Sequence, residues 1–251
     1  MAIVFFTPEV LTLLKSLTEN RFKILSGSAL KMLAIICMTI DHSAAILYPV
    51  IDAMRVPISI GGKAITLYWI MRKIGRLAFP IFCFLISEGY VHTKNKVRYG
   101  LRLLIFAFIS ELPFNLLYSN NLFDLNGQNV FLTLFLGLVL IRISEAECNQ
   151  LLKFLAMAAV GVIATLLKAD YGLTGALLVF LIHLFRNTPS IQALLAYPLL
   201  SGGTAAWAAF LPINLYNGNR GFIKTPFLKL LFYAFYPLHI LVLIGIRYLL
   251  Q

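Results

Sequence analysis

Eight apolar runs separated by short polar turns follow one another over most of the chain, and this succession limits the fold more than any other feature. A membrane-crossing helix needs about 20 predominantly apolar residues. The runs fall at 28–49, 64–91, 99–118, 130–143, 151–167, 173–185, 191–216 and 227–250. The pattern predicts an all-α, polytopic transmembrane helical bundle of about eight spans. Composition agrees: apolar residues make up 60% of the 251 positions and charged residues 12%, with a mean hydropathy of +0.87. Soluble domains run nearer ~45–50% apolar and ~25% charged. Lipid is the expected solvent for the excess apolar surface, and no length remains for an appended catalytic domain. No internal repeat is visible, which counts against an inverted-repeat transporter.

Residues 1–26 read differently. Val10, Leu13, Leu14 and Leu17 recur at helical spacing but are interrupted by Lys15, Glu19, Arg21 and Lys23. This predicts an interfacial helix lying on the membrane, with 27–251 as the transmembrane unit. The segment lacks a clean apolar core and a small-residue cleavage site, so no cleavable signal peptide is expected. The net charge of +11 would suggest nucleic acid in a soluble protein. Here no basic run is interleaved with aromatics, so nucleic acid is not an expected partner, and the cations read as anchors at anionic head groups. Lys/Arg asymmetry predicts a cytoplasmic-membrane protein with its N-terminus in the cytoplasm, together with Lys94, Lys96 and Arg98. The cation-free, Asn-rich turn 119–128 then faces out. Two basic stretches, 55–73 and 220–229, fall on the wrong side: either a segment is re-entrant, or those cations serve a ligand. Cys37, Cys83 and Cys148 form neither a disulfide framework nor a CxxC pair.

Ionisable groups inside the runs are the candidate functional residues. Such a group near mid-bilayer costs about 2.5–3.5 kcal/mol on insertion scales, so it faces the bundle interior with a partner. Asp41 and His42 lie half-way along the first run. Neighbours on a helix point about 100° apart. Asp41 is therefore expected to pair with another helix, Arg76 being the first candidate. That leaves His42 free for general-base work; the alternative is a hydrogen-bonded pair that only specifies packing. Arg72, Lys73 and Arg76 form a cationic stripe able to meet a phosphate, although Arg72 and Lys73 equally read as snorkelling side chains. Arg98 and Arg102, one turn apart, suit either a pyrophosphate or interfacial anchoring, and Arg220 with Lys224 forms a second candidate anion clamp. Glu88, Glu111 and Asn129 are polar groups within or at the start of apolar runs, and each of the last two is open to a packing hydrogen bond. His239 follows Pro237 in the last run, with Tyr233 and Tyr236 as available partners, and reads equally as site or structural residue. The four histidines show no HExxH spacing, so no metal is expected. Serine-hydrolase GxSxG, P-loop and GxGxxG patterns do not occur.

Taken in order, five pieces resemble the TraX family. They are KMLAIICMTIDH ending in Asp41-His42, GRLAFPIF containing Arg76, GQNVF containing Asn129, the turn Asp170-Tyr171-Gly172, and FYAFYPLH ending in His239. The resemblance covers 30–250. It implies a multi-pass membrane acyltransferase: the family's pilin-acetylating member passes an acetyl group to a peptide N-terminal amine, and the family is similar in turn to membrane acyltransferases that use an intramembrane histidine. By that resemblance Asp41, His42 and His239 are the expected catalytic positions, with Arg76, Asn129 and Tyr171 carried over beside them. Acetyl transfer from acetyl-CoA needs a base and an anchor for an anionic donor. His42, oriented or electrostatically supported by Asp41, is expected to supply the first. Arg76 with Arg72, Arg98, Arg102, Arg220 or Lys224 is expected to supply the second. The acceptor is expected to be a pilin-like peptide or a cell-surface glycan. Two further readings stand beside this one. One is a transporter in which Asp41, His42, Glu88 and Glu111 form a proton or substrate path. The other is a non-enzymatic assembly partner for pili or surface polymers.

Overall fold

Four helical stretches are long and apolar enough to cross a membrane, and each starts at a residue that supplies its own cap. These belong to a computed structural model that describes residues 23–251, so the expected interfacial helix over 1–26 lies almost wholly outside the described residues. Helix α1, Gly27–Leu47, begins where the Ser26 hydroxyl accepts from the Ala29 N–H. Helices α2, Leu67–Gly75, and α3, Ala78–His92, continue one another with a break at Arg76-Leu77, and Thr66 caps the first. Helix α4, Lys96–Tyr118, is capped by Asn95. Each such cap satisfies an otherwise orphaned N–H and stabilises its helix by about 1 kcal/mol.

The next three helices are apolar but short: α5, Val130–Ser144, α6, Gln150–Leu166, and α7, Gly172–Leu184, have 15, 17 and 13 residues. At ~1.5 Å per residue they reach about 20–26 Å, against a hydrocarbon core of about 30 Å. The last helix, α11, Pro226–Leu249, is full length and is capped by Thr225 with proline at its first position. Among the described residues, four stretches rather than eight therefore meet the length of a span.

The seventh apolar run departs furthest from expectation, because it is not one helix. It is divided into α8, Pro189–Ala196, a 3-10 turn at Tyr197–Leu199, α9, Gly203–Trp207, and α10, Phe210–Asn214. Pro198 has no N–H to continue a ladder, and Gly203 takes φ 57°, where only glycine is at ease. The segment also leaves and returns at the same end of the bundle. Near its start, Gln192 donates to the Ile182 carbonyl in the last turn of α7. At its end, Leu25 N donates to Leu215 O, and Gly27 and Ser28 N–H groups donate to the carbonyls of Asn219 and Arg220. It is re-entrant. Arg220–Lys229 thereby join the end that carries Lys94, Lys96 and Arg98, and one of the two stretches that broke the charge rule ceases to be an exception.

Where the sequence suggested only a loop before the second run, β1, Pro57–Ile60, and β2, Lys63–Thr66, form an antiparallel hairpin with Ile58 opposite Ile65. Gly61 and Gly62, at φ 58° and 78°, make its two-residue turn.

The core lies between α1, α3, α4, α5, α7 and α11, where Leu30, Ile81, Leu103, Ile141, Ile182 and Ile240 are buried. Helices α5 and α7 approach closely at Gly137, where a side chain would run into Val179. A polar network ties four elements at one end. Glu145 accepts from the Tyr90 hydroxyl at 2.5 Å and faces His183 Nε2 at 3.4 Å and Lys96 Nζ at 3.7 Å, while Ser87 Oγ lies 3.2 Å from His183 Nδ1.

Candidate functional site

Helices α1 and α11 bring together two histidines 197 residues apart in the chain: His42 Nδ1 lies 2.7 Å from His239 Nε2. The two rings are nearly coplanar and meet edge to edge, with centroids 4.9 Å apart and 14° between their planes, and the Phe235 ring lies 4.9 Å from that of His239 at 10°. His239 is 7% exposed. Its Nδ1 lies 2.7 Å from the carbonyl of Phe235, one turn earlier on α11. A carbonyl only accepts, so His239 Nδ1 carries a hydrogen. In the neutral ring Nε2 then holds a lone pair and accepts from His42 Nδ1–H.

Asp41, the next residue, turns the other way. It pairs with Arg72 on α2 at 2.6 Å, and the expected pairing with Arg76 is not formed. Gly75 decides which arginine is reached. The Asp41 carboxyl occupies the space that a side chain at position 75 would fill, so α1 and α2 close at this point and Arg72 lies within reach. The second Asp41 oxygen, Oδ1, is buried with no hydrogen-bond partner among the described residues. Arg76 packs its Cβ and Cγ against Gly202 of the re-entrant segment, beside Phe79, Leu199 and Tyr171.

Tyr171 sits at the tip between α6 and α7 in a left-handed conformation, φ 61°, its ring stacked on Phe79 at 3.7 Å. The tip is laced to the segment before α5. Gln128 N donates to Lys168 O, Asp170 N donates to Gln128 O, and the Thr133 hydroxyl donates to the Asp170 carbonyl. Burial pushes the Asp170 carboxyl up to about 6, against the opposing pull of the Tyr171 N–H and Arg76.

Other candidates are dispersed. Glu111 and Asn129 meet each other: the Asn129 amide donates to Glu111 Oε2 at 2.5 Å and to Ala107 O at 2.7 Å, while its carbonyl caps α5 at Phe131 N. That is a joint between α4 and α5. Glu88 faces His92 at 3.4 Å, one turn along α3. Arg98 donates its backbone N–H to the Asn95 cap, and neither its side chain nor that of Lys224 lines the cavity described next.

Arg102 and Arg220 do line that cavity, of about 210 Å³, between α1, α3, α4, α5 and α11. Lys31 and Lys229 complete a cationic lining, and Phe131, Tyr233 and Tyr236 form aromatic walls. Tyr236 also stands edge-on to His42 with ring centroids 5.9 Å apart, so one aromatic side chain separates the cavity from the histidine pair. Lys31 and Lys229 were not singled out by the sequence, and Tyr236 was named only as a partner for His239. Lys31, however, interrupts the first apolar run, the same signal that marks Asp41.

Comparison with known proteins adds a family and two relatives. Residues 26–247 match the family model described as TraX protein. A probable fimbrial assembly protein, FimC of serogroup H1 from Dichelobacter nodosus, is 29% identical over 252 residues, covering 90% of this chain and 97% of that protein. An uncharacterised protein of Rickettsia prowazekii is 31% identical over 108 residues, 43% of this chain and 33% of its own length. No solved structure matches.

Proposed function

We propose, from the premise that this chain belongs to the TraX protein family, that it is a pilus-related membrane acyltransferase. It would pass an acetyl group from acetyl-CoA to a peptide amine on a pilin-like protein, or to another cell-surface acceptor. The observation that carries this reading is the His42 ring, held through Nδ1 at 2.7 Å from His239 Nε2 and one tyrosine away from a cationic cavity. A base and an anion anchor are the two groups that acyl transfer from a phosphorylated thioester requires. The fimbrial name of the 29% identical relative supports a pilus-related acceptor.

In this reading Lys31, Arg102, Arg220 and Lys229 hold donor phosphates, and the aromatic walls take the arm that carries the thioester. A cavity of about 210 Å³ accommodates part of such a donor, so the nucleotide stays at the cationic mouth. His42 Nε2 takes the proton of the attacking amine as its nitrogen bonds to the acyl carbon. As the carbon–sulfur bond breaks, His42 returns that proton to the departing thiolate. Asp41 contributes a negative charge one residue away, shared with Arg72. Residues 27–251 form the catalytic unit, with the cationic end and the N-terminus in the cytoplasm, where acyl-CoA is made.

The test is acetyl transfer by purified protein in nanodiscs, with labelled acetyl-CoA and a synthetic pilin-like peptide read by mass spectrometry. His42→Ala is expected to abolish the added acetyl mass. Full transfer by that variant refutes the role of His42. The relative's printed name also favours a second reading, an assembly factor without chemistry. It predicts instead that His42→Phe leaves pilus assembly intact.

A further inference from the structure

We propose that His239 is a positioning residue that locks His42 in the tautomer with hydrogen on Nδ1 and the lone pair on Nε2. This rests on the acyltransferase reading for its purpose but on geometry for its content. The sequence pointed to Asp41 as the group that orients His42. Asp41 instead spends one oxygen on Arg72 and packs its carboxyl against Gly75, leaving His42 Nδ1 to meet His239.

The direction of the lock follows from the far end of the pair. The Phe235 carbonyl fixes hydrogen on His239 Nδ1, because a carbonyl has none to give. If His239 Nε2 also carried hydrogen, the ring would be a cation at 7% exposure, beside the rings of Phe235 and His42. That burial is unfavourable without a counter-ion, and among the described residues no carboxylate lies against either nitrogen. The neutral arrangement therefore has one solution: His239 Nε2 accepts and His42 Nδ1 donates.

Free imidazole prefers its hydrogen on Nε2, the opposite form, in which the nitrogen remote from the backbone cannot act as a base. The lock reverses that preference before substrate arrives. A neutral partner also stabilises protonated His42 less than a carboxylate does. The proton taken up at Nε2 is thus readily returned to the leaving group.

The experiment is long-range proton–nitrogen NMR on full-length protein carrying ¹⁵N-histidine in detergent micelles at neutral pH, with assignments from His92→Gln, His183→Gln and His239→Gln. Both His42 and His239 are expected to show protonated Nδ1 and bare Nε2. Hydrogen on His42 Nε2 in the native protein overturns the proposal without recourse to any variant. His239→Gln keeps an acceptor in place of Nε2, and it is expected to preserve the His42 tautomer and to hold the acetyl-transfer kcat within about tenfold. His239→Phe is expected to release the tautomer and lower kcat by at least ~100-fold at unchanged donor KM. A folded His239→Phe protein with native kcat and tautomer refutes the lock. Native protein with both expected tautomers but no acetyl transfer refutes the acyltransferase reading and leaves the lock standing.

Discussion

Removing the Asp41 carboxylate leaves the Arg72 guanidinium stranded in the bundle, and the size of that effect can be worked from the geometry. The two groups are 2.6 Å apart, with side chains 19% and 24% exposed. With charge centres about 4 Å apart and an effective dielectric of ~20, their attraction is about 4 kcal/mol before desolvation is subtracted. Breaking a buried pair by removing one member typically destabilises by about 3–5 kcal/mol. Partial exposure puts Asp41→Asn near the lower end, at about 3 kcal/mol. Arg72→Met removes the cation but leaves a carboxylate whose second oxygen already lacks a partner, so its expected effect is similar. In the double variant neither charge is left alone, and the cycle should return a coupling of about 2 kcal/mol. The assay is reversible unfolding in mixed micelles by titration with denaturing detergent, followed by the fluorescence of Trp69 and Trp207. The same cycle with Arg76→Met should show coupling below ~0.5 kcal/mol. A coupling that small for Arg72, or a larger one for Arg76, refutes the pairing.

Two other expectations concern the elements around the site. Asn129→Ala removes the α5 cap and the donor to Glu111 together; a loss of about 2–3 kcal/mol is expected in the same unfolding assay, and less than ~0.5 kcal/mol would show the joint to be idle. Asp170 gives the fold a pH dependence: its folded pKa of about 6 lies above the ordinary 3.8. Its stabilising contribution is therefore complete below pH 4 and is lost as pH rises through 6, a change of about 2–3 kcal/mol. The thermal midpoint of native protein should fall relative to Asp170→Asn across that window, and parallel curves would reject the assignment.

The residues that carried most information in the sequence were those lipid would penalise. Asp41 and His42 were visible because they interrupt an apolar run, and their divergence follows from helical geometry alone. Their partners were not visible. Arg72 and Arg76 are one turn apart on the same face, and the choice between them depends on the axial offset of α1 against α2. A glycine contact sets that offset, and hydropathy does not register it. His239 as the partner of His42 is a contact across 197 residues, which a local pattern cannot encode. The seventh run departs from expectation for the opposite reason. It is apolar enough to suggest a span, but the breaks at Pro198, Gly202-Gly203 and Pro212 divide it. The hairpin too had its signal, two glycines between stretches holding Ile58, Ile60 and Ile65.

The long closure between the two ends of the chain gives the site a schedule. At ~5–20 residues per second, 197 residues of synthesis separate the emergence of His42 from that of His239 by about 10–40 s. Asp41 meets Arg72 after only 31 residues. Ser28, whose hydroxyl holds the Arg220 carbonyl and the Ile223 N–H, must wait almost as long as His42. The newborn first helix thus enters the membrane with its charge soon matched and its imidazole unaccompanied. A chain halted before α11 would carry most of the scaffold but leave His42 without His239, so the histidine pair is the last contact of the site that the ribosome delivers.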